Sequence, residues 1–218
     1  MKRIGIIGAS GYTGIELIKI LIKHKGVRIE ALNSESFAGK KVKEIEPSIN
    51  SGLRFTNYTI EQINKLNLDL VFLAMPNGKA MKIVPKLDCR IIDFSGDYRF
   101  NNIKAYEANY KIRHLDKKTK AVYGLPELFR EKIAKAKIVA NPGCYATACL
   151  LAALPMQKLS KYIIFDCKSG YSGAGKRQTY VNDPKNYTDN IIAYNITKHR
   201  HKAELEQFLK TKISFTPH

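Results

Sequence analysis

The 218-residue chain carries 37 lysines and arginines against 19 aspartates and glutamates, a formal charge of +18, with 44% hydrophobic and 26% charged residues. This is the balance of a globular chain with enough core for one large or two modest domains, and the longest apolar run, 148–156, is too short for a membrane span and contains Pro155. Basic residues are spread along the chain without a basic tail, which argues against nucleic acid as partner, and the scattered Cys89, Cys144, Cys149 and Cys167 form neither a disulfide framework nor a zinc spacing.

The N-terminus, Met1-Lys2-Arg3 followed by an apolar run, mimics a signal peptide. Gly5 and Gly8 interrupt that run, so residues 3–7 are read as a buried strand and the chain as cytoplasmic. Gly8-Ala9-Ser10-Gly11-Tyr12-Thr13-Gly14 follows at once, and Ile15, Leu17, Ile18, Leu21 and Ile22 then recur at helical spacing. Strand, glycine loop and helix in that order are the context of a dinucleotide-binding turn, whose glycines admit a pyrophosphate to free helix N–H groups. The spacing is GxxGxxG, so the context carries more than the pattern.

Residues 27–32 read as a second strand. Ser34 and the nearby lysines 40 and 41 suit a ribose 2′-phosphate, whereas Glu35 suits the 2′-hydroxyl of NAD; the balance favours NADP. Residues 68–74 and 89–94 are further buried strands, each running into a polar loop at its carboxyl end, where open α/β sheets bind ligands. In the second loop, Asp97 and Arg99 either pair with one another or face a ligand. Residues 101–130 are polar and tyrosine-rich, with a turn at 123–128.

The next stretch, Asn141-Pro142-Gly143-Cys144-Tyr145-Ala146-Thr147, joins a short apolar strand ending at Val139 to an apolar helix over 144–154. Asn141 is expected to cap that helix and Pro142 to open it. A cysteine in a first helical turn meets unsatisfied N–H groups and the helix dipole, which favour a thiolate. From these residues alone Cys144 is either such a nucleophile or a buried core thiol. Beyond Pro155, a strand over 162–168 leads into Ser169-Gly170-Tyr171-Ser172-Gly173-Ala174-Gly175-Lys176-Arg177, a second glycine-rich loop fit to cradle an anion. His199 and His201 stand two apart at the start of a helix carrying Leu205, Phe208 and Leu209, so they are not expected to share a helix face. No third ligand accompanies them, which argues against a metal.

With these motifs in order, the chain resembles the N-acetyl-gamma-glutamyl-phosphate reductase family of the semialdehyde dehydrogenase superfamily. The resemblance rests on GASGYTG at 8–14, AGK at 38–40, VFLAMPNG at 71–78, DFSGDYR at 93–99, VYGLPEL at 122–128, NPGCYAT at 141–147, SGYSGAGK at 169–176, HRHKAELEQ at 199–207 and FTPH at 215–218. It implies an α/β architecture: a Rossmann-type doubly wound parallel sheet over 1–143, then part of an α+β catalytic and dimerisation domain of the semialdehyde/glyceraldehyde-phosphate dehydrogenase type over 144–218.

The implied reaction is NADPH-dependent reduction of N-acetyl-L-glutamyl 5-phosphate to the semialdehyde in arginine biosynthesis. A thiolate displaces phosphate to leave a thioester, and hydride from the nicotinamide then gives a thiohemiacetal that collapses to the aldehyde. The resemblance makes Cys144 the nucleophile and His201, with His199, the acid/base pair. It implies cofactor contacts from Gly8, Ser10, Gly11, Tyr12, Thr13, Gly14, Ser34, Ser172, Gly173 and Gly175. Arg99, Ser169, Gly170 and Glu204 are implied substrate contacts, and no metal is expected. The implied partner set is a small acyl phosphate and further copies of the chain in a dimer or tetramer, without nucleic acid or membrane. Two alternatives stand beside this reading: a reductase for a related acyl phosphate of the aminoadipyl or aspartyl type, or a catalytically inert binding subunit. Asn77 stands where the family usually has histidine. Family chains continue past the FTPH motif, so the second domain is expected to lack later strands and the isolated chain to be catalytically impaired.

Overall fold

The computed structural model describes all 218 residues. In chain order the elements are β1 (Lys2–Ile7), α1 (Tyr12–Leu21), β2 (Val27–Asn33), α2 (Val42–Ile45), α3 (Ile60–Lys65), β3 (Leu70–Leu73), α4 (Ala80–Ile83), β4 (Arg90–Asp93), α5 (Ile103–Tyr110), β5 (Val122–Tyr123), α6 (Pro126–Lys135), β6 (Ile138–Ala140), α7 (Cys144–Ala153), β7 (Tyr162–Cys167), α8 (Pro184–Tyr187), α9 (Arg200–Glu206) and β8 (Lys212–Pro217).

The apolar runs of β1, β3 and β4 have no polar alternation, as strands covered on both faces require. They build a six-stranded, wholly parallel sheet in the order β2-β1-β3-β4-β6-β5. The chain leaves β1 for β2 on one side and returns to β3 on the other. The turn after β1 therefore opens at the topological switch point, where such sheets bind nucleotides. One core lies on each side of this sheet. Ile4, Ile6, Ile18, Leu32 and Phe55 fill one, and Val71, Leu73, Met81, Ile91 and Tyr106 the other.

The stretch 101–130 is more ordered than its composition suggests. It contributes α5, the short strand β5 at Val122–Tyr123 and the start of α6 at Pro126. The expected turn at 123–128 is thus the junction of a strand and a helix, with proline at the helix's first position, where no backbone donor is needed.

After α7 a second, two-stranded parallel sheet forms from β7 and β8, with α9 in the crossover between them. Its core joins Tyr145, Cys149 and Leu150 of α7 to Phe165, Leu205, Ile213 and Phe215. Tyr123 and Leu125 reach into the same core from the first sheet's side. The two sheets therefore share a seam, and α7 and α9 lie along it.

Candidate active site

The first glycine loop is shaped by close backbone approach. Gly8 has φ +84°, and a β-carbon there would lie 2.3 Å from the Ala74 carbonyl oxygen. At Gly14 a β-carbon would meet the Ala9 carbonyl oxygen at 2.5 Å, so only glycine lets α1 start this close to β1. Gly11 caps α1 with no side-chain acceptor, and the first turn contains no acid. The leading N–H groups are left for an anion. Ser34, at the end of β2, is buried and hydrogen-bonded through its hydroxyl to Ser10 at 2.8 Å. These residues fit the diphosphate and ribose of a dinucleotide, and Tyr12 and Thr13 occupy the first two helical positions.

The second glycine loop reaches back to the first. Lys176 Nζ donates to the Ser10 carbonyl at 2.6 Å and lies 5.4 Å from the centre of the Tyr12 ring. Ser172 and Gly173 form a short 3-10 turn, and Gly175 follows with φ +83°. At the loop's start, Ser169 accepts a hydrogen bond from the Tyr145 hydroxyl at 2.8 Å. Lys176 is thus the residue that joins the two glycine loops.

Between the two loops stands Cys144, the first residue of α7. Gly143 is the helix cap, with extended backbone and no side-chain cap, so the expected capping by Asn141 is not what forms. Asn141 is tied instead into the sheet: its N–H donates to the Asp93 carbonyl at 2.8 Å, and its own carbonyl accepts from Arg99 Nε at 2.8 Å. Those bonds keep the chain extended for two more residues and move the helix start to the cysteine itself. Cys144 is exposed, which removes the core-thiol alternative. The other three cysteines are buried or half-buried, and burial pushes each of their thiols up.

The histidines meet at the same turn. His199 caps α9, and its Nδ1 accepts from the His201 N–H at 3.2 Å. That fold-back brings the two rings edge to face, 4.7 Å between centres, contrary to the expected separation. The expectation fails because the cap residue lies off the helical rise, so helix-face arithmetic does not apply to it. His201 is pressed onto the turn before Cys144: a β-carbon on Gly143 would stand 2.3 Å from His201 Nε2. Tyr145, Tyr194 and Phe215 enclose His199. Burial, then the charge of Arg200, lowers the His199 pKa to about 4. Burial first, with His199, Arg99 and Arg200 adding to it, pulls His201 lower still. Both imidazoles are neutral near pH 7, and His201 Nδ1 is buried with no partner.

Arg99 and Glu204, both expected at the substrate, form a buried ion pair that touches the Cys144 turn. Asp97 does not pair with Arg99; its carboxylate accepts from Gly78 N–H, Met81 N–H and the Tyr106 hydroxyl. Arg99 is 9% exposed and Glu204 fully buried, and they face one another at 3.4 Å. Burial is the largest single influence on Arg99 and acts to lower its pKa, but the charges of Glu204, Tyr110, Tyr123 and Asp93 together exceed it and the net shift is upward. Glu204 also accepts from Tyr123 Oη at 2.7 Å and Gly143 N at 2.9 Å. Two further guanidinium N–H groups reach the Asn141 and Phe94 carbonyls. This pair braces the Cys144 turn through Gly143 and Asn141, and three of the five guanidinium N–H donors are engaged in doing so. Asn77 is likewise structural, its Oδ1 accepting from Gly96 N–H at 2.8 Å.

Beside His199 opens a cleft of about 640 Å³ that Ser169 and Gly170 also line. Tyr145 and Tyr194, not singled out from the sequence, bracket the histidines here. Tyr145 was findable as the neighbour of Cys144 in an apolar helix, whereas nothing local marks Tyr194. No group of three or more His, Cys, Asp or Glu side chains could hold a metal, and no helix is long and apolar enough to cross a membrane.

A parallel nucleotide-binding sheet, a cysteine opening the helix after it, and a histidine pair on a second sheet's crossover define a dehydrogenase scaffold. Residues 3–136 match the family model "Semialdehyde dehydrogenase, NAD binding domain", and residues 144–218 match "Semialdehyde dehydrogenase, dimerisation domain". The chain belongs to the semialdehyde dehydrogenase family, and within it to the N-acetyl-gamma-glutamyl-phosphate reductases. It is 42% identical to the N-acetyl-gamma-glutamyl-phosphate reductase of Methanococcus vannielii, over all of this chain and 68% of that protein. To that of Methanocaldococcus jannaschii it is 44% identical, over all of this chain and 67% of the relative. The chain thus spans about two thirds of the length of these relatives. Among solved structures, aspartate semialdehyde dehydrogenase with NADP from Candida albicans superposes with a TM-score of 0.65 at 18% identity, covering all of this chain and 67% of that one. Aspartate semialdehyde dehydrogenase II from Vibrio cholerae gives 0.67 at 16% identity, covering all of this chain and 70% of that one. At these identities the likeness is one of fold.

Proposed function

We propose that this chain catalyses the NADPH-dependent reduction of N-acetyl-L-glutamyl 5-phosphate to N-acetyl-L-glutamate 5-semialdehyde and phosphate, in arginine biosynthesis. The observation that carries this is the exposed Cys144 at the start of α7, with His201 held against the residue before it. The Cys144 sulfur attacks the acyl carbon, the carbon–oxygen bond to phosphate breaks, and a thioester remains. The N–H groups opening α7 face the acyl oxygen as it gains charge. The bound dinucleotide supplies the hydride that reduces the thioester. When the carbon–sulfur bond then breaks, the aldehyde leaves and Cys144 is restored.

His201 is the acid/base in this reading, and His199 orients it through the 3.2 Å bond to its backbone. A desolvated imidazole of depressed pKa takes a proton readily only with an anion beside it, because a nearby negative charge favours the protonated form. Arrival of the acyl phosphate therefore raises the proton affinity of His201 at the moment the thiol must give one up. Ser34 and the lysine-bearing segment after it support NADP over NAD. The reading places the enzyme in the cytoplasm as a homo-oligomer built through residues 144–218, with the exposed Tyr162 and Ile164 on the outer face of β7 in the contact.

The test is phosphate-dependent reduction of NADP by N-acetylglutamate semialdehyde. Cys144→Ser should lower kcat by about 10³-fold or more, the scale of losing a nucleophile. Iodoacetamide should label Cys144 before Cys89, Cys149 or Cys167, whose thiols are buried or half-buried. Turnover that survives Cys144→Ser would rule out the thioester route.

A further inference from the structure

The cleft beside His199 has a one-sided charge. Lys111, Lys168, Lys198 and Arg200 line it, and no aspartate or glutamate does. Lys168 is engaged by Asp166, outside the lining. Arg200 has no such partner: of the acids on its own helix, Glu204 is taken by Arg99 and Glu206 by Lys202. Its guanidinium lies 5.4 Å from the centre of the Tyr110 ring. That ring is stacked on the buried Tyr106 at 4.8 Å and 17°. A guanidinium seated on a fixed aromatic face is oriented before any ligand arrives.

The backbone leading to Arg200 is also strained. Asp189, Asn195 and Thr197 all have positive φ, at 54°, 46° and 63°. Thr197 is β-branched, for which this conformation is a true outlier, and such residues persist only where the surroundings enforce them. The strained segment delivers Lys198, His199 and Arg200 in succession to the cleft wall.

We infer that Arg200 is the substrate's carboxylate clamp and the residue that sets acyl chain length. The inference rests on the acyl-phosphate reading above. The acyl phosphate group must lie at Cys144, and a substrate with a second anionic group needs a second cation at a fixed distance. Arg200 sits directly between His199 and His201 in the chain, so the backbone that places the acid/base pair also sets the span to the clamp. A planar guanidinium binds a carboxylate through two parallel hydrogen bonds. Lys111 and Lys198 add attraction without that geometry.

The test compares two aldehydes in the phosphate-dependent direction with the NADP-loaded full chain. N-acetylglutamate semialdehyde carries the carboxylate, and 4-acetamidobutanal is the same molecule without it. The wild type should prefer the first in kcat/KM, and Arg200→Gln should reduce that preference by about 10- to 100-fold, the scale of losing a charged hydrogen-bonded contact. KM for phosphate and for NADP should stay within about threefold, because the variant leaves those sites intact. Arg200→Lys should recover only part of the loss, since it restores the charge without the fork. An Arg200→Gln enzyme that keeps the full preference overturns the assignment.

A binding arm keeps this separable from the reaction itself. Titration with N-acetyl-L-glutamate should show a Kd weakened at least about tenfold in Arg200→Gln. A wild type that binds N-acetyl-L-glutamate through Arg200 yet reduces no NADP overturns the proposed reaction and leaves the clamp standing. Equal binding by wild type and variant overturns the clamp.

Discussion

The two sheets of this chain are built to different rules. In the six-stranded sheet β1 and β3 are covered on both faces, and Ile6 is fully buried. In the two-stranded sheet, β7 buries Phe165 but leaves Ile164 70% exposed. One sheet is covered on both faces, whereas the other turns a mixed face outward, on which Tyr162 and Ile164 stand beside Asp166, Lys212, Ser214 and Thr216. The site lies on the seam between them: Arg99 comes from a loop of the first sheet and Tyr123 from its edge strand β5, Glu204 and His201 from the second sheet's crossover, and Gly143 from the turn that joins the two parts.

Four substitutions test this contrast, in decreasing order of expected effect. Ile6→Ala empties a covered position and should cost about 2–5 kcal/mol in denaturant unfolding. A loss below about 1 kcal/mol would mean that the first sheet is not the stable half.

His199→Asn keeps an acceptor at the α9 cap while removing the imidazole. The folded His199 pKa of about 4 lies below its ordinary 6.5, so the unfolded chain binds the proton first as pH falls. Stability from this group is present above pH 6.5 and is lost on descending to about 4. The loss amounts to about 3 kcal/mol. Asp93, raised to about 6 by burial, acts in the opposite sense over nearly the same window. The wild-type minus variant difference in stability across this range therefore removes the Asp93 contribution and reports His199 together with its effect on His201. A flat difference would show that His199 is solvated.

Gly143→Ala pushes a methyl group into His201. It should lower kcat by about 10²-fold, as displacements of about 1 Å in an active site do. NADP binding, followed by fluorescence titration, should be unchanged, since the added methyl group meets only His201; a parallel loss of cofactor affinity would show that the seam supports both sites.

Ile164→Lys is the smallest in stability, within about 0.5 kcal/mol, because the position is exposed. It should nevertheless shift the sedimentation profile toward smaller species. An unchanged profile would remove the outer face of β7 from the subunit contact.

The parts of this protein that the sequence determined are those encoded within a few neighbouring residues. Unbroken apolar runs identified the covered strands, Gly8 to Gly14 identified the nucleotide turn, and an apolar stretch beginning at Cys144 identified the helix that carries it. What the tertiary structure decided is partner choice. Arg99 has Asp97 two residues away, yet pairs with Glu204 on the second sheet's crossover helix. His199 and His201 share a site because a cap residue folds back, and only the packing of α9 on Gly143 sets them beside Cys144. The exposure of that thiol and the burial of Glu204 were decided in the same way. Residue spacing specifies which face of an element is apolar, whereas the identity of a buried charge's partner depends on which loops the fold brings together, and local sequence does not encode that distance.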